Sequence, residues 1–278
     1  MGMLELLSYS FMRHALLAAA LASLACGVIG SFVVSRRLVF ITGGIAHTAY
    51  AGVGLGYFFG FNPFVGAVLV SLLAGVGLGT LSDRLKQAPD TLIGIIWAVG
   101  MALGMVLVAL TPGYAPDLLS YLFGSIMFVS LQDLWLMATL NASVLLVVWH
   151  QYKAFLAVSF DEEYSAVAGL PVRFLQVLMY ALISLSVVLL IKVVGIILVI
   201  ALLTIPAALA KMFVPSLKRM MVQASLWALV FTYGGMFLAY AVSSIYQVQV
   251  PAGAMMILLA GAVYGVALVG RKRILSKS

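Results

Sequence analysis

Chemistry has few footholds in this chain. It carries three histidines, eight carboxylates and one cysteine among 278 residues. One histidine stands apart. His47 lies near the middle of an apolar segment, in the run Gly43-Gly44-Ile45-Ala46-His47-Thr48-Ala49-Tyr50. An imidazole in hydrocarbon costs free energy unless it faces a cavity or a partner. A neutral imidazole is also a good ligand for zinc, manganese or iron. Such an ion wants three or four donors, and Thr48 and Tyr50 are poor ones. His47 therefore admits two readings: a transit ligand for a metal ion, or a buried residue held by a hydrogen bond. His14 and His150 fall at the ends of apolar segments and are weaker candidates.

The carboxylates avoid the apolar segments. Asp117 and Asp133 bracket a short apolar piece, Leu118 to Leu131. There they could attract a cation at the mouth of a pathway, or serve as solvated loop residues and helix caps. Asp161-Glu162-Glu163 opens a second informative stretch, residues 159–171. Ser159 can cap a helix whose first turn holds the three acids, favourable against the helix dipole. Gly169 and Pro171 end it. The result is one short helix, acidic at its start and small at Ala166 and Ala168. It reads as a docking element for a partner or as a solvated connector. Among motifs, no phosphate loop, nucleophile elbow or metallohydrolase spacing occurs. The chain lacks that machinery for hydrolysing nucleotide. Carboxylates missing from mid-span also argue against a proton-relay transporter.

The elements that must position these residues follow from composition. The chain is 65% hydrophobic and 8% charged, with mean hydropathy +1.21. A soluble domain carries about 25% charged residues. So little charge cannot cover a water-facing surface, and the fold expected is an all-α, polytopic membrane helix bundle. Eight or nine spans are expected, at about Arg13–Val34, Leu38–Phe59, Phe64–Leu81, Thr91–Leu110, Leu134–Trp149, Phe174–Ile191, Val193–Ala210, Met220–Ile245 and a last one before Arg271. Residues 118–131 are too short to span comfortably and read as an interfacial or re-entrant helix. Glu5 and Arg13 precede the first apolar run without a framed cleavage site, so no leader is expected. Cys26 is alone, which excludes an intrachain disulfide.

Orientation follows from the basic residues. With the C-terminus inside and the N-terminus outside, Arg36, Arg37, Arg84, Lys86, Lys153, Arg173, Lys211, Lys218, Arg219, Arg271, Lys272, Arg273 and Lys277 all fall inside. Only Arg13 and Lys192 of the 15 Lys and Arg fall outside. That is a strong positive-inside bias, and it accounts for the net charge of +7 without nucleic acid. Glycine pairs at Gly56/Gly60, Gly75/Gly79 and Gly100/Gly104 have the spacing that lets helices approach closely in lipid.

Three stretches together carry a resemblance. They are Ser31-Phe32-Val33-Val34-Ser35-Arg36-Arg37 followed by Gly44-Ile45-Ala46-His47; Leu118-Leu119-Ser120-Tyr121-Leu122-Phe123-Gly124-Ser125; and Val193-Val194-Gly195 running through Leu202-Leu203-Thr204-Ile205-Pro206-Ala207-Ala208. In this order they resemble the membrane permease subunits of bacterial ABC importers for zinc, manganese and iron. The resemblance covers nearly the whole chain. It implies a single transmembrane permease domain over 1–278, with an extracytoplasmic loop at 111–132 and a cytoplasmic coupling loop at 159–171. It implies a prokaryotic inner membrane, a second permease copy around a shared pathway, a separate ABC ATPase, and an extracytoplasmic metal-binding protein. Phe160, Asp161, Glu162, Ala168 and Gly169 would dock the ATPase. His47 would lie on the metal's path, with Asp117 and Asp133 at the outer mouth. No cofactor would be bound permanently; the divalent metal is cargo. Many members carry Asp four positions before this histidine, where this chain has Gly43. A permease for a metal chelate and a secondary transporter without an ATPase remain as rivals.

Overall fold

Long apolar runs can satisfy their backbone groups in lipid only as helices or closed barrels, and this sequence chooses helices. The computed structural model describes residues 9–85, 89–112, 124, 126, 129–196 and 198–275. Ten helices are found among them: α1 (Ser10–Ser35), α2 (Val39–Phe59), α3 (Pro63–Leu85), α4 (Pro89–Leu110), α5 (Leu131–Phe160), α6 (Glu162–Val167), α7 (Val172–Val194), α8 (Val199–Phe213), α9 (Leu217–Tyr246) and α10 (Ala252–Leu275). No strand occurs among the described residues.

Among the described residues seven helices are long and apolar enough to cross a membrane: α1, α3, α4, α5, α7, α9 and α10. The expectation of eight or nine adds α2 and α8. Helix α2 has 21 residues, about 31 Å, so length is no obstacle. Five glycines, two threonines, two tyrosines and His47 dilute its apolar content. Helix α8 has 15 residues, about 22 Å, short of a hydrocarbon core of about 30 Å. The expected span from Val193 to Ala210 is thus divided differently. Helix α7 runs on through Val194, Gly195 breaks it at φ 80°, and α8 begins at Val199. The expected span Leu134–Trp149 is also too short. The polar residues after Trp149 continue the same helix to Phe160.

Helix α1 is the centre of one group, packing on α5, α7, α8 and α9. Polar side chains fasten it where methyl contacts alone would leave it free to slide. Asn141 Nδ2 donates to the Leu21 carbonyl at 2.8 Å, Tyr233 Oη donates to Leu16 O at 3.1 Å, and the Ser23 and Thr232 hydroxyls pair at 3.1 Å. Helices α2, α3 and α4 form the second group, held by glycine contacts. A Cβ at Gly52 would sit 2.1 Å from the Gly66 carbonyl oxygen, and one at Gly66 equally close to Gly52 O. Gly100 and Gly104 similarly admit the α2 backbone at Thr48 and Tyr50, and Gly75 and Gly79 receive α7 at Tyr180 and Val177. Two of the three glycine pairs are therefore packing surfaces. The third splits: Gly56 faces Pro63, and Gly60 caps α2 at φ 74° with open space around it. Helix α7 joins the two groups through α3 and α2.

Candidate functional site

His47 sits about 12 Å along α2 from Val39, on the most enclosed helix of the bundle. It is 8% exposed, within an unbroken buried stretch from Ile41 to Gly54. Its Nδ1 lies 2.9 Å from the Gly43 carbonyl oxygen. A carbonyl only accepts, so Nδ1 carries the proton and the neutral ring keeps its lone pair on Nε2. That is the tautomer a metal ligand needs. The indole of Trp97 on α4 stacks against the imidazole, with centroids 4.1 Å apart and planes 22° apart. Next door, the Thr48 hydroxyl lies 2.7 Å from Gly44 O and 3.1 Å from Ile96 O, tying α2 to α4.

The space beside His47 is accounted for. A Cβ at Gly43 would come within 2.7 Å of Ile200 Cδ1 and 3.1 Å of the Trp97 ring. A carboxylate at that position would require both to move. Glycine at 43 and tryptophan at 97 thus form one packing unit, and the turn preceding His47 offers it a backbone carbonyl. Among the described residues no three His, Cys, Asp or Glu side chains converge. Among those residues His47 belongs to no such group of three.

Of the two outer carboxylates, Asp117 lies outside the described residues, as does most of the helix expected over 118–131. Asp133 begins α5. Ser130 Oγ accepts from Asp133 N at 3.1 Å, and the Asp133 carboxylate accepts from Ser130 N at 3.2 Å, a reciprocal capping box. Gly124, at φ 76°, packs on the break after α7, its would-be Cβ 2.5 Å from Gly195 N and 2.8 Å from Val193 O. Gly124 from the second stretch that carried the resemblance and Gly195 from the third therefore meet.

The opposite end holds α6. Its cap is Asp161, whose carboxylate accepts from Tyr164 N at 2.8 Å. Ser159, the expected cap, instead donates back to Phe155 O at 2.6 Å and stays in α5. Ser165, completely buried, donates to Asp161 O at 2.6 Å. The helix ends where Gly169 turns left-handed at φ 83°, with Leu170 N donating to Ser165 O at 3.0 Å. Glu162 faces inward: it forms an ion pair with Arg36 at the C-terminal end of α1 and accepts from Gln176 Nε2 of α7 at 2.8 Å. Arg173 reaches Thr80 O of α3 from the same end at 3.3 Å. Both carboxylates singled out in the sequence are thus committed within the chain.

The outward face of this corner is apolar. Phe160 is 82% exposed, Tyr164 70% and Val167 88%. Tyr164 and Val167, three apart in α6, share one side of that helix, and Phe160 is the last residue of α5, just before the Asp161 cap. Ala168 and Gly169 follow α6 and are also exposed. Composition drew attention to the acids. Phe160, Ala168 and Gly169 are among the residues expected at this corner; Tyr164 and Val167 are added by the structure. A short, firmly capped helix presenting exposed apolar side chains is suited to receiving another protein.

All-helical among its described residues, with long apolar helices packed into a bundle, the chain has the build of an integral membrane protein. The chain belongs to the ABC 3 transport family, whose sequence model matches residues 8–271. An uncharacterised membrane protein of Synechocystis sp. is 46% identical over 271 residues, covering 98% of this chain and 94% of that protein. The manganese transport system membrane protein MntC of Halalkalibacterium halodurans is 33% identical over 263 residues, covering 95% and 88%. Among solved structures, PsaBC from Streptococcus pneumoniae in complex with Fab matches with a TM-score of 0.83 at 30% identity, over 94% of this chain and 92% of that one.

Proposed function

We propose that this chain is the permease subunit of an ATP-driven importer of a divalent transition metal ion, with manganese the first candidate. The observation that carries this reading is the full-length similarity to a manganese transport membrane protein. In this reading the whole chain is one transmembrane domain in a prokaryotic inner membrane, N-terminus out and C-terminus in. Helices α2 and α8 cross with the seven apolar ones, α2 shielded by its neighbours and α8 continued by the backbone around Gly195. The contacts Arg36–Glu162 and Arg173–Thr80 support this alternation, since they join inner-side segments to one another.

A separate ABC ATPase docks on Phe160, Tyr164, Val167, Ala168 and Gly169. An extracytoplasmic metal-binding protein delivers the ion at the end where Asp133 and Gly124 lie. A second copy of the chain completes the pathway, and His47 Nε2 offers a passing ion one soft, neutral ligand. One imidazole holds a metal weakly by itself, which suits transit better than storage. The deciding test is uptake of radiolabelled Mn2+ by the chain reconstituted with its ATPase and binding protein. Uptake that needs ATP inside and binding protein outside is expected. Uptake that persists without the ATPase and follows a proton gradient would overturn the reading in favour of secondary transport.

A further inference from the structure

Between α1, α5 and α9 lies a cavity of about 700 Å³, at the same end of the bundle as α6. Its size falls within the ~300–1,000 Å³ of ordinary ligand pockets. The lining is graded along the membrane normal. Val28, Leu145, Val148 and Met221 make an apolar floor. The next residues along α5, Trp149, His150, Tyr152 and Lys153, line it too, with Lys218 from α9. Among the described residues no carboxylate lines it. Lys153 and Lys218 are exposed, standing on facing walls contributed by α5 and α9. Trp149 is 81% exposed although the residues before it on α5 are apolar.

Each part of this grading has a physical reading. About 20 residues of α5, counted from its start, fill a hydrocarbon core, which brings Trp149 and Tyr152 to the interface level where aromatic belts lie. Two ammonium groups at that level, with no acid to neutralise them, match a phosphate. Apolar side chains beneath match an acyl chain. Basic pockets between transmembrane helices on the cytoplasmic side take anionic lipid headgroups for this reason. We infer that the cavity between α1, α5 and α9 binds an anionic glycerophospholipid, its phosphate between Lys153 and Lys218 and one chain over Val28, Val148 and Met221. The inference rests on membrane embedding alone and is independent of what the protein transports.

The test is lipid retention by the full chain. The purified protein in mild detergent is titrated with phosphatidylglycerol or phosphatidylcholine, and bound lipid is counted by native mass spectrometry. Lys153→Ala/Lys218→Ala should lose about 30-fold in phosphatidylglycerol affinity, the product of two lysine–phosphate attractions. The control Lys211→Ala/Arg219→Ala removes equal charge from the same end outside the cavity and should lose less than twofold. An equal loss in the control, or equal retention of phosphatidylcholine by the wild type, would overturn the inference. A second measurement covers occupancy by protein. Trp149→Cys carrying a benzophenone, with Cys26 fully buried and unreactive, should photolabel phosphatidylglycerol in vesicles. Labelling of another polypeptide instead would refute the lipid assignment.

Discussion

Glu162→Ala isolates the ion pair that ties α6 to the C-terminal end of α1. The Arg36 side chain is 8% exposed and that of Glu162 47%, so one end of the pair is shielded and the other wet. A fully exposed pair is worth ~0–1 kcal/mol. Removing the partner of a buried charge costs ~3–5 kcal/mol. This pair lies between, and the lost bond from Gln176 adds to it. The expected destabilisation is about 1–3 kcal/mol. Charge reversal should recover only part of the loss. Arg36 caps the C-terminal end of α1, where a cation is favoured by the helix dipole by ~0.3–1 kcal/mol and a glutamate is opposed. A double-mutant cycle with Arg36→Ala and Glu162→Ala, read by thermal unfolding of the purified chain, gives the coupling directly. A coupling energy below ~0.5 kcal/mol, the usual scatter for independent sites, would refute the claim that the pair holds α6. If α6 is also where the ATPase pushes, the same variant in the full complex should keep hydrolysing ATP while metal uptake falls.

Three further outcomes follow from the geometry. His47→Ala should lower Mn2+ uptake at limiting metal by tenfold or more while leaving the melting temperature within a few degrees; full uptake would remove His47 from the pathway. Gly52→Ala should cost ~1–3 kcal/mol by overpacking, because its Cβ would meet the Gly66 carbonyl at 2.1 Å, whereas Gly77→Ala, with open space around it, should be neutral by thermal unfolding. Val167→Asp should abolish co-purification of the ATPase without changing the thermal stability of the chain itself, since Val167 is 88% exposed; undiminished co-purification would place the docking surface elsewhere.

The helices were legible because backbone in lipid has so few options, and most ends were within a few residues of where hydropathy changes. The misses have specific causes. Helix α5 outruns its apolar stretch because Gln151, Tyr152 and Lys153 are good enough helix residues once the helix is nucleated below them. Its end is set at Asp161, whose carboxylate finds the next helix's amide. Helix α7 passes Lys192 and stops only at Gly195, where a left-handed backbone is needed. Hydropathy cannot see either event, because both depend on single residues at a chain turn. The acids drew attention to the α6 corner; Asp161 caps the helix and Glu162 pairs with Arg36, while Phe160, Tyr164 and Val167 stand exposed beside them.

Helix α2 shows why a long helix that falls short of the apolar mark of a membrane span is one to examine. A helix facing lipid must be apolar all round. One surrounded by other helices is freed from that demand, and its glycines can be spent on close approach. The sequence of α2 has both marks, and the structure buries it from Ile41 to Gly54. His47 is tolerated there because Gly43 O takes its Nδ1 proton and Trp97 covers its face. The two readings that the sequence left open are therefore compatible. The hydrogen bond that holds the ring is also the one that leaves Nε2 bare. What sequence alone could not supply is the cause of Gly43. Trp97 lies 54 positions away along the chain, and only packing reveals that its ring, with Ile200, occupies the volume a side chain at 43 would need.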